Sequence, residues 1–198
     1  MPGLKLIAGL GNPGAEYALT RHNAGVWFVE QLAESLGGQF RDEKKFFGRV
    51  ATCRLGDREL RLLVPQTFMN HSGKSVGACA HFYKIHPKQI MIAHDEIDLP
   101  IGTIRFKQGG GLAGHNGLRD ITRALAGTQD YSRLRIGVGH PGGKAGVINH
   151  VLGKATASDR DIIQQCLDEA LACMPLAAEG EWEKAMNRLH NFKIPLQG

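Results

Sequence analysis

The chain has 198 residues, 42% of them hydrophobic and 22% charged, the proportions of an ordinary globular protein. At roughly 150 residues per domain, this predicts one domain spanning 1–198, large enough to fold around its own core without staples. Lys plus Arg is 24 against 19 Asp plus Glu, a formal charge of +5, and no run reaches the ~18 consecutive apolar residues of a membrane span, so membrane, collagen-like and disordered classes are excluded.

Leu4 to Leu10 reads as a buried strand ended by the turn Gly11-Asn12-Pro13-Gly14. Ala24 to Leu36 follows as an amphipathic helix with Phe28, Val29, Leu32, Ala33 and Leu36 on one side, Asn23 as its cap and Gly37-Gly38 as its stop. Phe47 to Leu55 and Glu59 to Val64 flank Gly56-Asp57-Arg58 as a hairpin. A helix over Ser72 to Tyr83, a short strand over Gln89 to Ala93 and another over Thr103 to Lys107 come next. The glycine-rich loop Gly109 to Gly114 leads into a helix, Asn116 to Leu125, with Asn116 as its capping residue. Leu134 to Gly139 is the last strand. Ser158 to Ala178 is a long helix with Ser158 as N-cap and Pro175 as a candidate kink or early end, and Trp182 to His190 is the final helix.

Strands alternate with helices along most of the chain. The expected fold is therefore α/β: a single domain built on a twisted β-sheet covered by helices on both faces, mixed because of the hairpin. In such sheets, sites cluster in the loops beyond the strand C-termini. The polar residues expected there are Asn12, Asp95, Lys107 and His140.

The opening residues lack the pattern of a secretory signal. Cys53, Cys79, Cys166 and Cys173 form no Cys-x-x-Cys pair, so they read as core residues in a reducing, cytoplasmic setting. The positive charge is concentrated. Residues 101–150 carry seven basic residues against two acids, and 12 of the 26 glycines. Glycines and cations together suit a phosphate-bearing partner; a solvated basic face is the other reading.

Several segments carry polar residues with chemical potential. Gly9-Leu10-Gly11-Asn12-Pro13-Gly14 matches the spacing of a dinucleotide loop. No helix opens directly behind it, however, and no acid ends the next strand, so it reads as a tight turn presenting Asn12. His22, at the mouth of the first helix, is either structural or a general base awaiting an acid to orient it. His94-Asp95-Glu96-Ile97-Asp98 offers three acids, for Mg²⁺ or for holding an imidazole. Asn70, in Gln66-Thr67-Phe68-Met69-Asn70-His71-Ser72-Gly73, is either a turn residue or a reader of a peptide amide, able to donate and accept at once. No Gly-x-Ser-x-Gly elbow is present, which argues against an activated serine.

In this order, GLGNPG at 9–14, TRHNAG at 20–25, PQTFMNHSG at 65–73, HDEIDLPIG at 94–102, GGGLAGHNGLRD at 109–120 and RLRIGVGHP at 133–141 resemble the bacterial peptidyl-tRNA hydrolase family, and NRLHNFK at 187–193 is similar to its terminal helix. The resemblance implies hydrolysis of the ester between a peptide and the 3′-terminal ribose of tRNA, which returns tRNA to translation. It implies a cytoplasmic monomer needing no cofactor, no metal and no obligate protein partner. Carried across, His22 is the catalytic base and Asp95 its partner. Asn12, Asn70 and Asn116 line the peptide and ester site, with Asn12 and Asn116 also on the catalytic side. Tyr17 and Phe68 flank the 3′ end, Met69 is a further substrate-binding residue, and Lys107 and Arg135 clamp a tRNA phosphate. The residues agree with that chemistry: His22 to take a proton from water, Asp95 to favour the resulting imidazolium, and a side-chain amide, Asn116, to orient the water or meet the oxyanion.

Overall fold

The computed structural model describes residues 2–195. Seven strands form one sheet: β1 (Leu6–Gly9), β2 (Arg41–Glu43), β3 (Gly48–Leu55), β4 (Arg58–Pro65), β5 (Ile90–Glu96), β6 (Ile104–Gln108) and β7 (Ser132–Gly137), in the order β2-β3-β4-β1-β5-β7-β6. The centre, β4-β1-β5-β7, is parallel, while β2-β3, β3-β4 and β6-β7 pair antiparallel. The sheet expected from the alternation, mixed because of the hairpin, is therefore present.

Helices cover both faces. α1 (Ala24–Ser35), α5 (Ala157–Ala178) and α6 (Trp182–His190) bury Phe28, Val29, Cys166, Cys173 and Trp182 against Ile7, Leu134 and Ile136. α2 (Ser72–Phe82) and α3 (Asn116–Ala124) bury Val76, Cys79 and Ile121 against Leu6, Ala8 and Ile92. Because successive strand residues point to opposite faces, β1 feeds both cores, which explains its unbroken apolar run. All four cysteines are buried and free.

The differences from the sequence reading are local and have physical causes. β2 is too polar to show alternation, with Arg41 and Asp42 exposed on a sheet edge. α4 (Val147–Val151) is a five-residue helix, below the length at which helical periodicity is readable. β5 runs three residues further than expected, so His94, Asp95 and Glu96 lie inside the strand. Three caps also differ. Thr156, not Ser158, caps α5 by accepting from the Asp159 N–H. His115, not Asn116, caps α3 by accepting from the Leu118 N–H. Asn23 precedes α1 but makes no side-chain cap bond. Pro175 does not end α5 early. It lies in the last turns, and the helix runs on to Ala178, whose carbonyl accepts from the Leu4 N–H at 2.9 Å.

One contact positions the site. A Cβ on Gly25 would stand 2.1 Å from the Ala93 carbonyl oxygen. Only glycine lets the start of α1 press onto the middle of β5, and this brings the turn Arg21–Asn23 against Asp95.

Candidate active site

His22 lies in that turn and Asp95 in β5, 73 residues apart in the chain. The His22 Nδ1–H donates to the Asp95 carboxylate, at 2.8 Å from Oδ2 and 2.9 Å from Oδ1. His115, at the start of α3, donates its Nε2–H to Asp95 Oδ1 at 2.9 Å. Its Nδ1 accepts the Leu118 N–H, so the proton of neutral His115 is on Nε2. His94 places Nδ1 2.9 Å from the Asp95 carbonyl oxygen, and its ring meets that of His115 edge-on at 5.1 Å. One buried carboxylate is thus shared by two imidazoles, and the atom of His22 left for chemistry is Nε2.

The electrostatics follow from burial and this sharing. Burial alone would raise the Asp95 carboxyl, but the His22 and His115 imidazoles and their hydrogen bonds hold it well below the usual carboxylate range. For His22, burial pushes the imidazole down, and the charge and hydrogen bond of Asp95 outweigh it, leaving the pKa above the ordinary 6.5. His94 is driven well below that value by burial, with His115 adding to the effect, so it stays neutral.

These groups open into a cavity of about 370 Å³ lined by Asn12, His22, Phe68, Met69, Asn70, Asp95, Glu96, His115 and Asn116. Its far wall is apolar: Val147, Ile148, Val151 and Leu152, from α4 and the residue after it. Asn12 is held in place by the Met69 N–H, which donates to Asn12 Oδ1 at 2.7 Å. The turn at 9–14, the strand-end segment 65–73, β5 and the start of α3 therefore converge on one cleft, beside strand C-termini.

Not every residue singled out from the sequence lies in that cleft. Tyr17 packs edge-on against Phe68 with ring centroids 6.3 Å apart, outside the cavity lining. Lys107 and Arg135 lie on the β6–β7 ribbon, also outside it. The Arg135 guanidinium donates to Glu96 at 2.9 Å, so it is a partnered cation. Burial and the neighbouring Arg133 and Arg135 push the Lys107 ammonium down. His140 accepts from the Gly142 N–H and stands apart from the cleft. The acids of 95–98 do not converge, since Asp95 serves the histidines and Glu96 serves Arg135. His22, Asp95 and His115 offer donor atoms within 4.8 Å of one another, but at 2.8–2.9 Å these atoms already face each other as hydrogen-bond partners.

His115, Glu96 and the α4 wall were missed as site residues. His115 was readable only through its place beside Asn116. Nothing in the sequence ties Val147–Leu152 to a cleft, because the approach is tertiary.

A model of the peptidyl-tRNA hydrolase family matches residues 6–197. The chain belongs to the peptidyl-tRNA hydrolase family. It is 55% identical over 190 residues to the peptidyl-tRNA hydrolase of Edwardsiella ictaluri, covering 96% of this chain and 97% of that one. To the enzyme of Erwinia tasmaniensis it is 53% identical, covering 98% and 99%. The crystal structure of peptidyl-tRNA hydrolase from Acinetobacter baumannii superimposes with a TM-score of 0.94 at 48% identity, covering 98% of this chain and 97% of that one. Within this family fold, the cleft that holds His22 and Asp95 is also the one that gathers the motif residues Asn12, Asn70 and Asn116.

Proposed function

We propose that this peptidyl-tRNA hydrolase cleaves the ester between the acyl group and the tRNA 3′ ribose with His22 as general base and without a metal. The observation that carries the reading is the His22–Asp95 pair. With Nδ1–H committed to the carboxylate, Nε2 carries the free lone pair of a side chain that lines the cavity. It takes a proton from water as that water attacks the ester carbonyl. The imidazolium so formed is stabilised by Asp95, which stays ionised. His22 then returns the proton to the departing ribose oxygen.

Asn116 orients the water or meets the developing oxyanion. Asn12 and Asn70 hold the acyl group, Met69 lines the same cavity, and the apolar α4 wall takes side chains of the peptide. Phe68, 56% exposed, and Tyr17 beside it present aromatic edges to the unpaired 3′ end, as single-stranded ends are usually held. Lys107 and Arg135 lie on the basic ribbon that meets the phosphates. On this reading the chain works as a monomer in the cytoplasm, and its buried, free cysteines suit a reducing compartment. Among the described residues, no helix is long and apolar enough to cross a membrane.

The test is release of free tRNA from N-acetyl-aminoacyl-tRNA in the presence of EDTA, by wild type and by His22→Ala. The expected result is metal-independent turnover that falls ~10²–10⁴-fold in the variant, the usual scale for a general base. A variant retaining more than about a third of wild-type turnover would remove His22 from the role.

A further inference from the structure

Arg133, in β7, is buried, and among the described residues no carboxylate lies within ion-pair distance of it. Its register partner on β6 is another cation, Lys107, and Arg135 lies two residues on. Glu96, an acid whose charge reaches it, is committed to Arg135 at 2.9 Å. Of its donors, Nη2 gives a hydrogen bond to the Gly109 carbonyl at 2.9 Å, while Nη1 is buried with no partner among the described residues. A buried charge without a counter-ion and a buried donor without an acceptor both weigh against folding. An apolar side chain of similar volume would suit this core at least as well. Stability is therefore not what the arginine supplies.

What it holds is one end of the glycine loop. Gly109 is pinned from both sides: its N–H donates to the Tyr131 carbonyl at 3.0 Å, and its carbonyl accepts from Arg133. Gly110 then passes directly over the cations, where a Cβ would stand 2.7 Å from Lys107 Cε and 3.8 Å from Arg133 Nη2. Beyond that point little packs against the backbone. Residues 109, 110, 113 and 114 have left-handed φ angles, and a Cβ on Gly111 or Gly114 would meet nothing within 4 Å. The chain is fixed again at the far end of the loop, where His115 donates to Asp95 at 2.9 Å and Asn116 joins the cavity lining. A span so lightly packed takes its course from its two anchors.

We infer that Arg133 is a positioning residue for hydrolysis: by pinning the foot of the loop 109–114, it sets where His115 and Asn116 stand in the cleft. The inference rests on the proposed function, in which His115 shares Asp95 with the base and Asn116 orients the water or meets the oxyanion. It gives the cations of the ribbon different tasks. Lys107, partly exposed, meets phosphate and acts on KM. Arg133, buried behind it, touches no substrate and acts on kcat. A charged donor suits the task, because its hydrogen bond to a carbonyl is about twice as strong as a neutral one, and glycine segments lose more freedom than any other when held. Tyr131, just before β7, bonds α3 through its hydroxyl, which donates to the Leu118 carbonyl at 3.3 Å. The loop and the helix that follows it are thus both referenced to the same strand.

The experiment measures kcat and KM on N-acetyl-aminoacyl-tRNA at several salt concentrations, with thermal melting, for wild type, Arg133→Met, Gly109→Ala and Gly111→Ala. Arg133→Met keeps the volume and removes the bond and the buried charge. Gly109→Ala leaves the arginine and loosens the same foot through its backbone, since φ is 64° there and a side chain is strained. Both should lower kcat ~10–100-fold, the scale of a slightly misplaced catalytic group. KM and its salt slope should stay at wild-type values, because a cation that touches no phosphate releases no counterion. Arg133→Met should melt no lower than wild type. Gly111→Ala, in open space in the middle of the loop, should keep wild-type kcat. Wild-type kcat in folded Arg133→Met and Gly109→Ala overturns the positioning role. So does a raised KM with a flattened salt slope at full kcat, which would make Arg133 a phosphate contact. A lower melting temperature with kcat per folded molecule intact would make it structural, and an equal loss of kcat in Gly111→Ala would mean that the anchors do not set the loop; either overturns the inference. A wild type inactive on this substrate would instead overturn the proposed function itself.

Discussion

His115 shares the Asp95 carboxylate with His22. Its Nε2–H meets Oδ1 at 2.9 Å while its other nitrogen caps α3. The sharing has a consequence for basicity. An N–H from His115 draws charge from the carboxylate and weakens its pull on a protonated His22. Removing it should make His22 more basic. His115→Asn separates the two tasks, because asparagine still caps a helix well but is too short to serve Asp95. The variant should melt within a few degrees of wild type and should show its pH–rate midpoint displaced upward. An unmoved midpoint would mean that His115 is only a cap.

The pH profile of the wild type follows from the same pair. With His22 as the proposed base, hydrolysis requires it unprotonated, and its pKa is raised above 6.5 because Asp95 outweighs the effect of burial. Turnover should therefore rise with pH through a midpoint above about 6.5. In Asp95→Asn the opposing carboxylate is gone and burial remains, so the midpoint should move down. Turnover at the plateau should also fall, by roughly 10²–10⁴-fold, as the imidazolium loses its partner and the ring its fixed tautomer. A pH–rate series on both proteins, with chemistry rate-limiting, checks the sign. A downward shift with full activity would place Asp95 outside the catalytic pair.

Asp95 should also appear in acid stability. Its folded pKa is depressed below the ordinary carboxylate value. Such a group stabilises the fold above its unfolded pKa, near 3.9, and that contribution is lost as pH falls through the folded value. Chemical denaturation from pH 5 to pH 2 should show wild-type stability falling more steeply below pH ~4 than that of Asp95→Asn. Equal slopes would mean that the carboxylate gains nothing from its two imidazoles on folding.

The sheet was readable because its signals are local. The apolar run at 6–9, the Gly56-Asp57 turn and the period of α1 each lie within a few residues of one another. His22, Asp95 and the three asparagines were identifiable through motif strings, which carry position without geometry. What was not readable depends on contacts across the chain. Asn23 looked like a helix cap because it directly precedes α1. Its side chain goes to Asn12 instead, which only the packing of the first turn against α1 permits. Asn116 looked like the cap of α3 because asparagine is a favoured one. The imidazole one residue earlier takes that role, and Asn116 is left to line the cavity. Arg133 is one of the seven basic residues of 101–150, but it is 1% exposed and donates to the Gly109 carbonyl at the foot of the glycine loop, a burial that its charge does not signal. The β6–β7 register, which pairs Lys107 with Arg133 and Arg105 with Arg135, was likewise invisible.

That register shapes the test of the basic ribbon. Cross-strand partners share a face, so Arg105, Lys107, Arg133 and Arg135 stand together, with like charges directly opposite each other. Such pairs are destabilising in themselves, which makes a polyanionic partner a reasonable purpose for the face. Lys107 is free of any ion pair among the described residues. Lys107→Ala should raise KM by similar factors for different tRNAs, leave turnover at saturation nearly unchanged, and flatten log KM against log salt by up to ~1 unit if KM tracks binding. Arg135→Ala is not equivalent. It leaves Glu96, 3% exposed as a side chain, without its cation, and removing one partner of a buried pair costs about 3–5 kcal/mol. Part of any loss in that variant would be loss of fold, and Glu96 also lines the cavity. The double variant Arg135→Ala with Glu96→Gln restores neutrality. It should recover most of the melting temperature while keeping the raised KM and flattened salt dependence. Kinetics on two tRNAs at three salt concentrations, with melting curves beside them, separate the two effects. Recovery of KM together with stability would assign Arg135 to the fold and leave Lys107 as the phosphate contact.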